Sequence, residues 1–239
     1  MQEREIRLGD MRTFIVHPDG DGPFPVAVVF MDGVGYREQI KDNARRFAAA
    51  GYCCIAGDHY HRVGENVTFD MTRMETERER MMEAVMSVTP ELAEADTRAL
   101  LAALEDEPAA ADAGPKVCVG YCMGARLALH AASAMAGEFV AAAGIHPGPL
   151  PTDELAGVRG ELYIAFAEVD RSVTAEVVDA FRAEMERQGV RGTVERVPGA
   201  AHGFAMADLP VYDRDASERH FELTLELWRR NLSAEPVGA

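Results

Sequence analysis

The chain has 239 residues, of which 48% are hydrophobic and 27% are charged, a balance typical of a globular protein with a large core. Forty acidic residues against 24 basic ones give a formal net charge of −16, which disfavours a nucleic-acid-binding surface because phosphates need clustered Lys and Arg. The first residues, MQEREIRLGD, lack the apolar segment of a secretory signal, and no apolar run approaches the roughly 18 residues of a membrane span. We therefore expect a cytoplasmic protein with no nucleic-acid or membrane partner.

Short apolar runs typical of buried strands alternate with amphipathic helical segments along most of the chain. We expect strands at 12–17, 25–31, 52–57, 116–120, 139–145, 161–166 and 193–197. We expect helices at 37–50, 123–135, 174–188 and 212–232, with a tail that frays from Ser233 onward. This alternation predicts one α/β domain over residues 1–239, with a mostly parallel sheet of about seven or eight strands covered by helices on both faces.

The segment from about 61 to 95 breaks this alternation. Its central stretch, MTRMETERERMMEAVMSV (71–88), is polar, contains several methionines and has helical propensity, and a second helix is expected near 90–105. One interpretation is a solvated crossover helix whose methionines line its inner face. The other is a lid over a binding cleft, because long connections are often functional. The sequence leaves both open.

The pentapeptide GYCMG (120–124) has the spacing of a nucleophile elbow, with cysteine in place of the usual serine. It follows a predicted strand and precedes a predicted helix, so Cys122 is expected on the sharp turn between them. The dipole of the following helix favours a thiolate there, and the N–H of Met123 points to where an oxyanion would form. None of the five serines has such a setting, so a hydrolase of this type would use sulfur.

A nucleophile of this kind needs a base and a group that orients the base. Asp170 follows the predicted strand 161–166, and His202 follows the predicted strand 193–197. Their order after Cys122, nucleophile then acid then histidine, is that of α/β-hydrolases. We therefore predict that these three residues act together, whereas the other cysteines lie in strand-like runs and are expected in the core: Cys53, Cys54 and Cys118.

Other candidate sites are weaker. The run Asp58-His59-Tyr60-His61 offers two histidines on one face but no evident third ligand, so no metal site is predicted. Arg126 follows Cys122 by four residues, whereas a phosphatase loop requires Cys-x₅-Arg. His146 follows a predicted strand, and we consider it a candidate for a contact with substrate or with the catalytic residues.

The motifs in combination resemble the dienelactone hydrolase family of α/β-hydrolases, over roughly residues 26–232. The resemblance rests on AVVFMDGVG (27–35), GYCMG (120–124), EVDRSV (168–173) and AAHGFA (200–205). It implies the α/β-hydrolase fold and a small-molecule ester or lactone as substrate, with no metal or organic cofactor.

The resemblance also implies roles for individual residues. The family's catalytic triad corresponds to Cys122, Asp170 and His202. The family's acidic residue that holds the resting thiol corresponds to Asp32, one methylene shorter than the usual glutamate, and the N–H of Gly33 would be the second oxyanion donor beside Met123. Met206 stands where the family has an arginine for a substrate carboxylate, and a second such arginine could correspond to Arg78 or Arg80. Loss of a bidentate cation weakens binding of an anionic lactone, so we expect a substrate other than dienelactone itself.

The sequence thus predicts a cysteine hydrolase that cleaves an ester, lactone or thioester bond through an acyl-enzyme. Two alternatives stay open. The same thiol could pass the acyl group to an acceptor other than water, or the chain could be a non-catalytic binding protein on the same fold. The protein is expected to be a monomer or a homodimer.

Overall fold

The computed structural model describes residues 1–233, which form eight strands and six α-helices. The strands are β1 (Gln2–Leu8), β2 (Met11–His17), β3 (Val26–Phe30), β4 (Cys53–Gly57), β5 (Lys116–Tyr121), β6 (Phe139–Ile145), β7 (Glu161–Val169) and β8 (Gly192–Ala201). The helices are α1 (Glu38–Ala49), α2 (Met74–Ser87), α3 (Pro90–Ala102), α4 (Met123–Ala134), α5 (Ala175–Arg187) and α6 (Arg214–Leu232). The predicted fraying of the tail concerns residues that, from 234 onward, lie outside the described part of the chain.

All eight strands belong to one sheet, in the order β1-β2-β4-β3-β5-β6-β7-β8. The six strands β4, β3, β5, β6, β7 and β8, neighbours in that order, pair in parallel. By contrast, β2 pairs antiparallel with both β1 and β4. The prediction of an α/β fold with a mostly parallel sheet is confirmed. Because parallel strands end at the same edge, the residues that follow β3, β5, β6, β7 and β8 gather on one side of the molecule.

Helices cover both faces of this sheet, as the alternation of side chains along β5 demonstrates. The sulfur of Cys118 lies 3.8 Å from the carbonyl oxygen of Ala128 in α4. Tyr121 points to the other face, where its ring centroid lies 5.7 Å from that of His220 in α6. On that second face α1 packs against α6, with the ring of Phe47 4.6 Å from that of Trp228. The core therefore lies on both sides of the sheet.

The strand β1 is the one element for which the sequence analysis had no counterpart. Most of its residues are exposed, so its sequence, QEREIRL, lacks the alternation of a half-buried strand. It lies at the edge of the sheet, and its acidic side chains form ion pairs with α1, Glu3 with Arg45 and Glu5 with Lys41. Pairing with the adjacent β2 and ion pairs with the distant α1 stabilise this strand, and neither is marked by its own apolar pattern.

The segment that breaks the alternation contains the two expected helices, α2 and α3, preceded by a 3₁₀ turn at Met71–Arg73. Thr89 caps α3 by accepting from the N–H of Leu92, and Pro90 occupies its first turn. By contrast α2 buries a single residue, Ala84, although it is fourteen residues long. Among residues 1–233 no helix combines the length and the apolar character that crossing a membrane requires.

Candidate active site

Cys122 lies on the turn between β5 and α4, with the positive φ of 52° that an elbow imposes on its central residue. The turn is tight because a Cβ on Gly120 would collide with the carbonyl oxygen of Gly124, and a Cβ on Gly124 would collide with that of Met31. The N–H of Cys122 donates to the carbonyl oxygen of Ile145 at 2.9 Å, which ties the turn to β6. This strained conformation presents the thiol at the edge of the sheet.

The structure brings together the three residues that the sequence analysis selected. Nε2 of His202 lies 3.0 Å from Sγ of Cys122, and Nδ1 of His202 lies 2.7 Å from Oδ2 of Asp170. The other carboxylate oxygen of Asp170 accepts from the N–H of Ser172 at 2.8 Å and from its hydroxyl at 2.7 Å. The three side chains therefore form one hydrogen-bonded chain across the ends of β5, β7 and β8. In contrast, Cys53, Cys54 and Cys118 are fully buried, as predicted.

The hydrogen bonds that link Cys122, His202 and Asp170 shift the pKa values of the histidine and the aspartate. Burial acts to lower the pKa of His202, but the hydrogen bonds to Asp170 and Cys122 outweigh it and raise that pKa to about 10. Burial acts to raise the pKa of Asp170, yet the hydrogen bonds from His202 and Ser172 hold it below its usual range. The aspartate therefore stays ionised at neutral pH, and the imidazole binds a proton readily.

The two proposed oxyanion donors, the N–H groups of Gly33 and Met123, both lie at the cleft beside Cys122. Gly33 lies in a turn and Met123 is the first residue of α4. Within residues 1–233 neither N–H donates to any of the turn, loop or cap acceptors. Tyr60, which the sequence analysis considered only as part of a metal-binding run, supports this pair. Its buried hydroxyl donates to the carbonyl oxygen of Gly33 at 3.0 Å and lies 3.7 Å from the sulfur of Met123.

Asp32 is buried at the same edge, but its carboxylate is bound by Arg37. The two guanidinium nitrogens lie 2.6 and 3.0 Å from the two carboxylate oxygens, and the N–H of Val34 donates to Oδ1 at 3.0 Å. Arg37 also binds Asp208 through two hydrogen bonds. In this structure the thiol is therefore paired with His202, and Asp32 instead holds the loop that carries Gly33.

His146 lies at the cleft behind His202, and it is fully buried with a φ of 41°. Its ring centroid lies 5.4 Å from that of His202 and 5.4 Å from that of Phe204. Neither ring nitrogen has a hydrogen-bond partner among the described residues. Burial is the main cause that lowers the pKa of His146 well below its usual value, and the neighbouring imidazoles of His202 and His220 lower it further. His146 is thus a neutral aromatic wall beside the imidazole of His202.

The cleft above Cys122 has a volume of about 790 Å³ and is mostly apolar. Its apolar lining comprises Val34, Met71, Met81, Met82, Val85, Met86, Met123, Pro149, Leu150, Leu209, Pro210 and Val211. Four of these residues belong to α2, so this helix forms one wall of the cleft.

The cations expected from the family resemblance do not line this cleft. Met206 is fully buried, with its sulfur 3.8 Å from Nδ2 of Asn43, and Arg78 and Arg80 are exposed on α2. The arginine that does line the cleft is Arg126, on the same face of α4 as Cys122, and it donates to the carbonyl oxygen of Val88 at 2.8 Å. The sequence signal for this position of Arg126 was its spacing of four residues from Cys122, which places both on one side of a helix.

The histidines considered for a metal site converge on an aspartate from α3 instead. His59 and His61 approach the carboxylate of Asp96 at 3.4 and 3.2 Å, and Arg62 binds its two oxygens at 2.7 and 2.9 Å. In residues 1–233 no group of three or more His, Cys, Asp and Glu is arranged to hold a metal ion. The cluster is an ion pair that joins the loop after β4 to α3.

Comparisons with known proteins show which family and fold this chain resembles. A model of the dienelactone hydrolase family matches residues 11–232. A protein from Escherichia coli K12, provisionally named carboxymethylenebutenolidase, is 24% identical over 222 residues, which cover 88% of this chain and 78% of that protein.

Two solved structures have the same fold. A provisionally named dienelactone hydrolase from Klebsiella pneumoniae has a TM-score of 0.85 at 20% identity, covering 96% of this chain and 98% of its own. A dienelactone hydrolase-like promiscuous phosphotriesterase from metagenomic libraries has a TM-score of 0.79 at 21% identity, covering 97% and 99%.

Proposed function

Because the chain belongs to the dienelactone hydrolase family and is a hydrolase of ester or lactone bonds, we propose that Cys122 is its nucleophile and that the reaction passes through an acyl-enzyme. The observation that carries this proposal is the unbroken hydrogen-bonded chain from the thiol through His202 to Asp170. It opens into a cleft of a size that suits a small molecule.

In the first half-reaction, His202 takes the thiol proton at Nε2 and the sulfur forms a bond to the carbonyl carbon of the ester. The negative charge that develops on the carbonyl oxygen is stabilised by the N–H groups of Gly33 and Met123. When this intermediate collapses, the bond to the leaving oxygen breaks and the imidazolium returns its proton to that oxygen. The products are an alcohol and a thioester on Cys122. For a lactone, the alcohol stays attached to the acyl group.

In the second half-reaction, His202 takes a proton from water and the water oxygen forms a bond to the thioester carbon. When this intermediate collapses, the bond between carbon and sulfur breaks, the imidazolium returns its proton to the sulfur, and the carboxylic acid leaves. The raised pKa of His202 depends in part on Cys122, and this contribution is lost once the sulfur is a neutral thioester. The pKa of the imidazole is then lower. The imidazolium that forms when His202 takes a proton from water therefore donates that proton more readily to the departing sulfur. Throughout, the ionised Asp170 fixes the ring orientation and stabilises the imidazolium.

Asp32 acts on the reaction through the loop that it holds. Its carboxylate binds Arg37 and the N–H of Val34, one residue beyond the proposed donor Gly33. We therefore infer that Asp32 positions the oxyanion donor, in contrast to the thiol-holding role that the family resemblance implies.

The test is to compare Cys122→Ala with Cys118→Ala, a matched change at a buried core thiol. Hydrolysis of an activated short ester by Cys122→Ala is expected to fall to the uncatalysed rate while its circular dichroism is unchanged. Rapid quenching of the wild-type protein should trap one acyl group on the peptide that contains Cys122, measured by mass spectrometry. Turnover by Cys122→Ala close to that of Cys118→Ala would rule out the cysteine mechanism.

A further inference from the structure

The cleft has two unlike walls because the residues that form it come from opposite sides of Cys122. In the sheet, β5 carries Cys122, with β3 on one side and β6, β7 and β8 on the other. His202 follows β8, whereas Gly33 follows β3. The leaving oxygen of a substrate must meet His202 to receive its proton, so the acyl part extends toward the β3 side.

The wall on the β3 side is α2. A Cβ on Gly33 would lie 3.2 Å from Cγ2 of Val85, so the helix packs directly on the loop that carries the oxyanion donor. Val85 shares the cleft with Met81, Met82 and Met86, which lie within the same one and a half turns of the helix. An acyl chain that leaves the carbonyl on this side therefore runs along a row of methionines.

This row offers apolar side chains to a ligand, and other parts of the protein leave two of them exposed to water. Met82 is 46% exposed and Met86 is 68% exposed, although both line the cleft. Methionine has a flexible and polarisable side chain that adapts to differently shaped apolar partners. A bound acyl chain would remove both side chains from water, which is a favourable use of otherwise exposed apolar surface.

The charges at the cleft do not favour an anionic acyl group. Arg126 donates to the carbonyl oxygen of Val88, at the C-terminal end of α2, where a cation also compensates the helix dipole. Arg37 is shared between two carboxylates, those of Asp32 and Asp208. The charge of Arg37, beside the cleft, is thus balanced by carboxylates, whereas Arg126 keeps its charge and uses one of its N–H groups to bind Val88. The net charge of −16 repels anions at long range.

We propose, on the basis of the cysteine mechanism above, that the substrate is a neutral ester whose acyl part is a flexible apolar chain bound by Met81, Met82, Val85 and Met86. These residues determine specificity and α2 is the acyl-binding wall. The carboxylate-bearing lactones after which the family is named are then poor substrates.

The test uses 4-nitrophenyl esters of acetic, butanoic, hexanoic and octanoic acid with the wild-type protein. We expect kcat/KM to rise by up to about fourfold per methylene until the cleft is filled, the increase that burial of one CH₂ group provides. The mono-4-nitrophenyl ester of adipic acid, which ends in a carboxylate, should react at least tenfold more slowly than the hexanoate. A flat or falling series, or a preference for the adipate ester, would overturn the proposal.

Variants locate the effect. Met82→Gln with Met86→Gln should lower the ratio of hexanoate to acetate turnover severalfold, mainly through KM, because both side chains are at the surface and the fold does not depend on them. Met74→Gln, on the same helix but outside the cleft, should leave the ratio unchanged. An unchanged ratio in the double variant would contradict the assignment of α2.

Labelling of Cys122 keeps this outcome separate from that of the mechanism. If each ester acylates Cys122 but without dependence on chain length, only the acyl-wall proposal fails. If turnover survives in Cys122→Ala, the cysteine mechanism fails.

Discussion

The protein has two largely buried aspartates that each contact histidine, and the two clusters differ in what else surrounds the carboxylate. Asp96 receives a bidentate Arg62 in addition to His59 and His61. Asp170 receives neutral hydrogen bonds from Ser172, and His202 is the group in its cluster that can carry a positive charge.

This difference explains why one cluster suits chemistry and the other suits stability. Where arginine balances a carboxylate, the charge is permanent and no proton has to move. Where histidine balances it, the positive charge can be gained and lost within one reaction cycle, and here the pKa of His202 is raised to about 10. The second nitrogen of His202 then faces the thiol of Cys122, whereas no cysteine in residues 1–233 forms a hydrogen bond with the histidines bound to Asp96.

The largest expected effect follows from removing the charge in the catalytic cluster. Asp170→Asn should lower kcat/KM by about 10⁴-fold, because an amide neither stabilises the imidazolium nor holds the ring in the required tautomer. Steady-state hydrolysis of 4-nitrophenyl butanoate measures this loss, with the exposed Asp106→Asn as control. A loss of less than tenfold would mean that the two clusters do not differ as argued.

The same substitution in the other cluster should affect stability first. Asp96→Asn leaves Arg62 and two histidines without their carboxylate and should lower the free energy of unfolding by about 2 kcal/mol. The activity of the folded protein should fall less than fivefold. Urea denaturation and initial rates of the same samples provide both values, and a loss of activity without a loss of stability would contradict the structural role.

The pH dependence of stability gives a second readout for Asp96. Burial acts to raise its pKa, but the hydrogen bonds and charges of His59 and Arg62 hold that pKa below the value of an unfolded aspartate, which is about 3.9. A group whose folded pKa is lowered stabilises the protein fully above the unfolded pKa, and this contribution is lost as the pH falls toward the folded value. Below about pH 4 the unfolding free energy should therefore fall less steeply in Asp96→Asn than in the wild-type protein. Parallel slopes would show that the carboxylate is not specifically stabilised.

Much of the catalytic edge could be predicted from the sequence because its signals are local. A cysteine between two glycines, or an acid or a histidine directly after an apolar run, marks a strand end, and strand ends meet in a parallel sheet. The positions of Cys122, Asp170 and His202 at one edge followed from this, whereas their catalytic roles stay proposals. The α/β fold and the family could be predicted for the same reason.

The features that sequence analysis missed depend on pairings that no sequence motif marks. The carboxylate that joins His59 and His61 comes from Asp96, more than thirty residues later. The ion pair between Asp32 and Arg37 could not be predicted because it depends on how the loop after β3 folds. This loop returns Arg37 to the end of β3, where Asp32 lies. The strand β1 has an exposed and charged sequence that becomes recognisable only beside β2.

Tyr60 links the two clusters, and its variant gives the smallest expected effect. It lies between His59 and His61 in sequence, so the Asp96 cluster fixes its backbone, while its hydroxyl donates to the carbonyl oxygen of Gly33. Tyr60→Phe removes this one hydrogen bond, whose net value of about 1 kcal/mol corresponds to roughly a fivefold loss in kcat. The exposed Tyr212→Phe is the matched control and should leave kcat unchanged.

The Tyr60 variant also sets an upper limit for Asp96→Asn. If the Asp96 cluster influences catalysis only through the position of Tyr60, then Asp96→Asn cannot lower kcat by more than Tyr60→Phe does, and combining the two substitutions should add little further loss. A double variant whose loss in kcat equals the product of two separate losses would show that the Asp96 cluster reaches the catalytic edge by another route. That route would run through Phe30, the last residue of β3, because His59 packs on it with ring centroids 5.6 Å apart. Phe30 lies just before Asp32 and Gly33 in the chain.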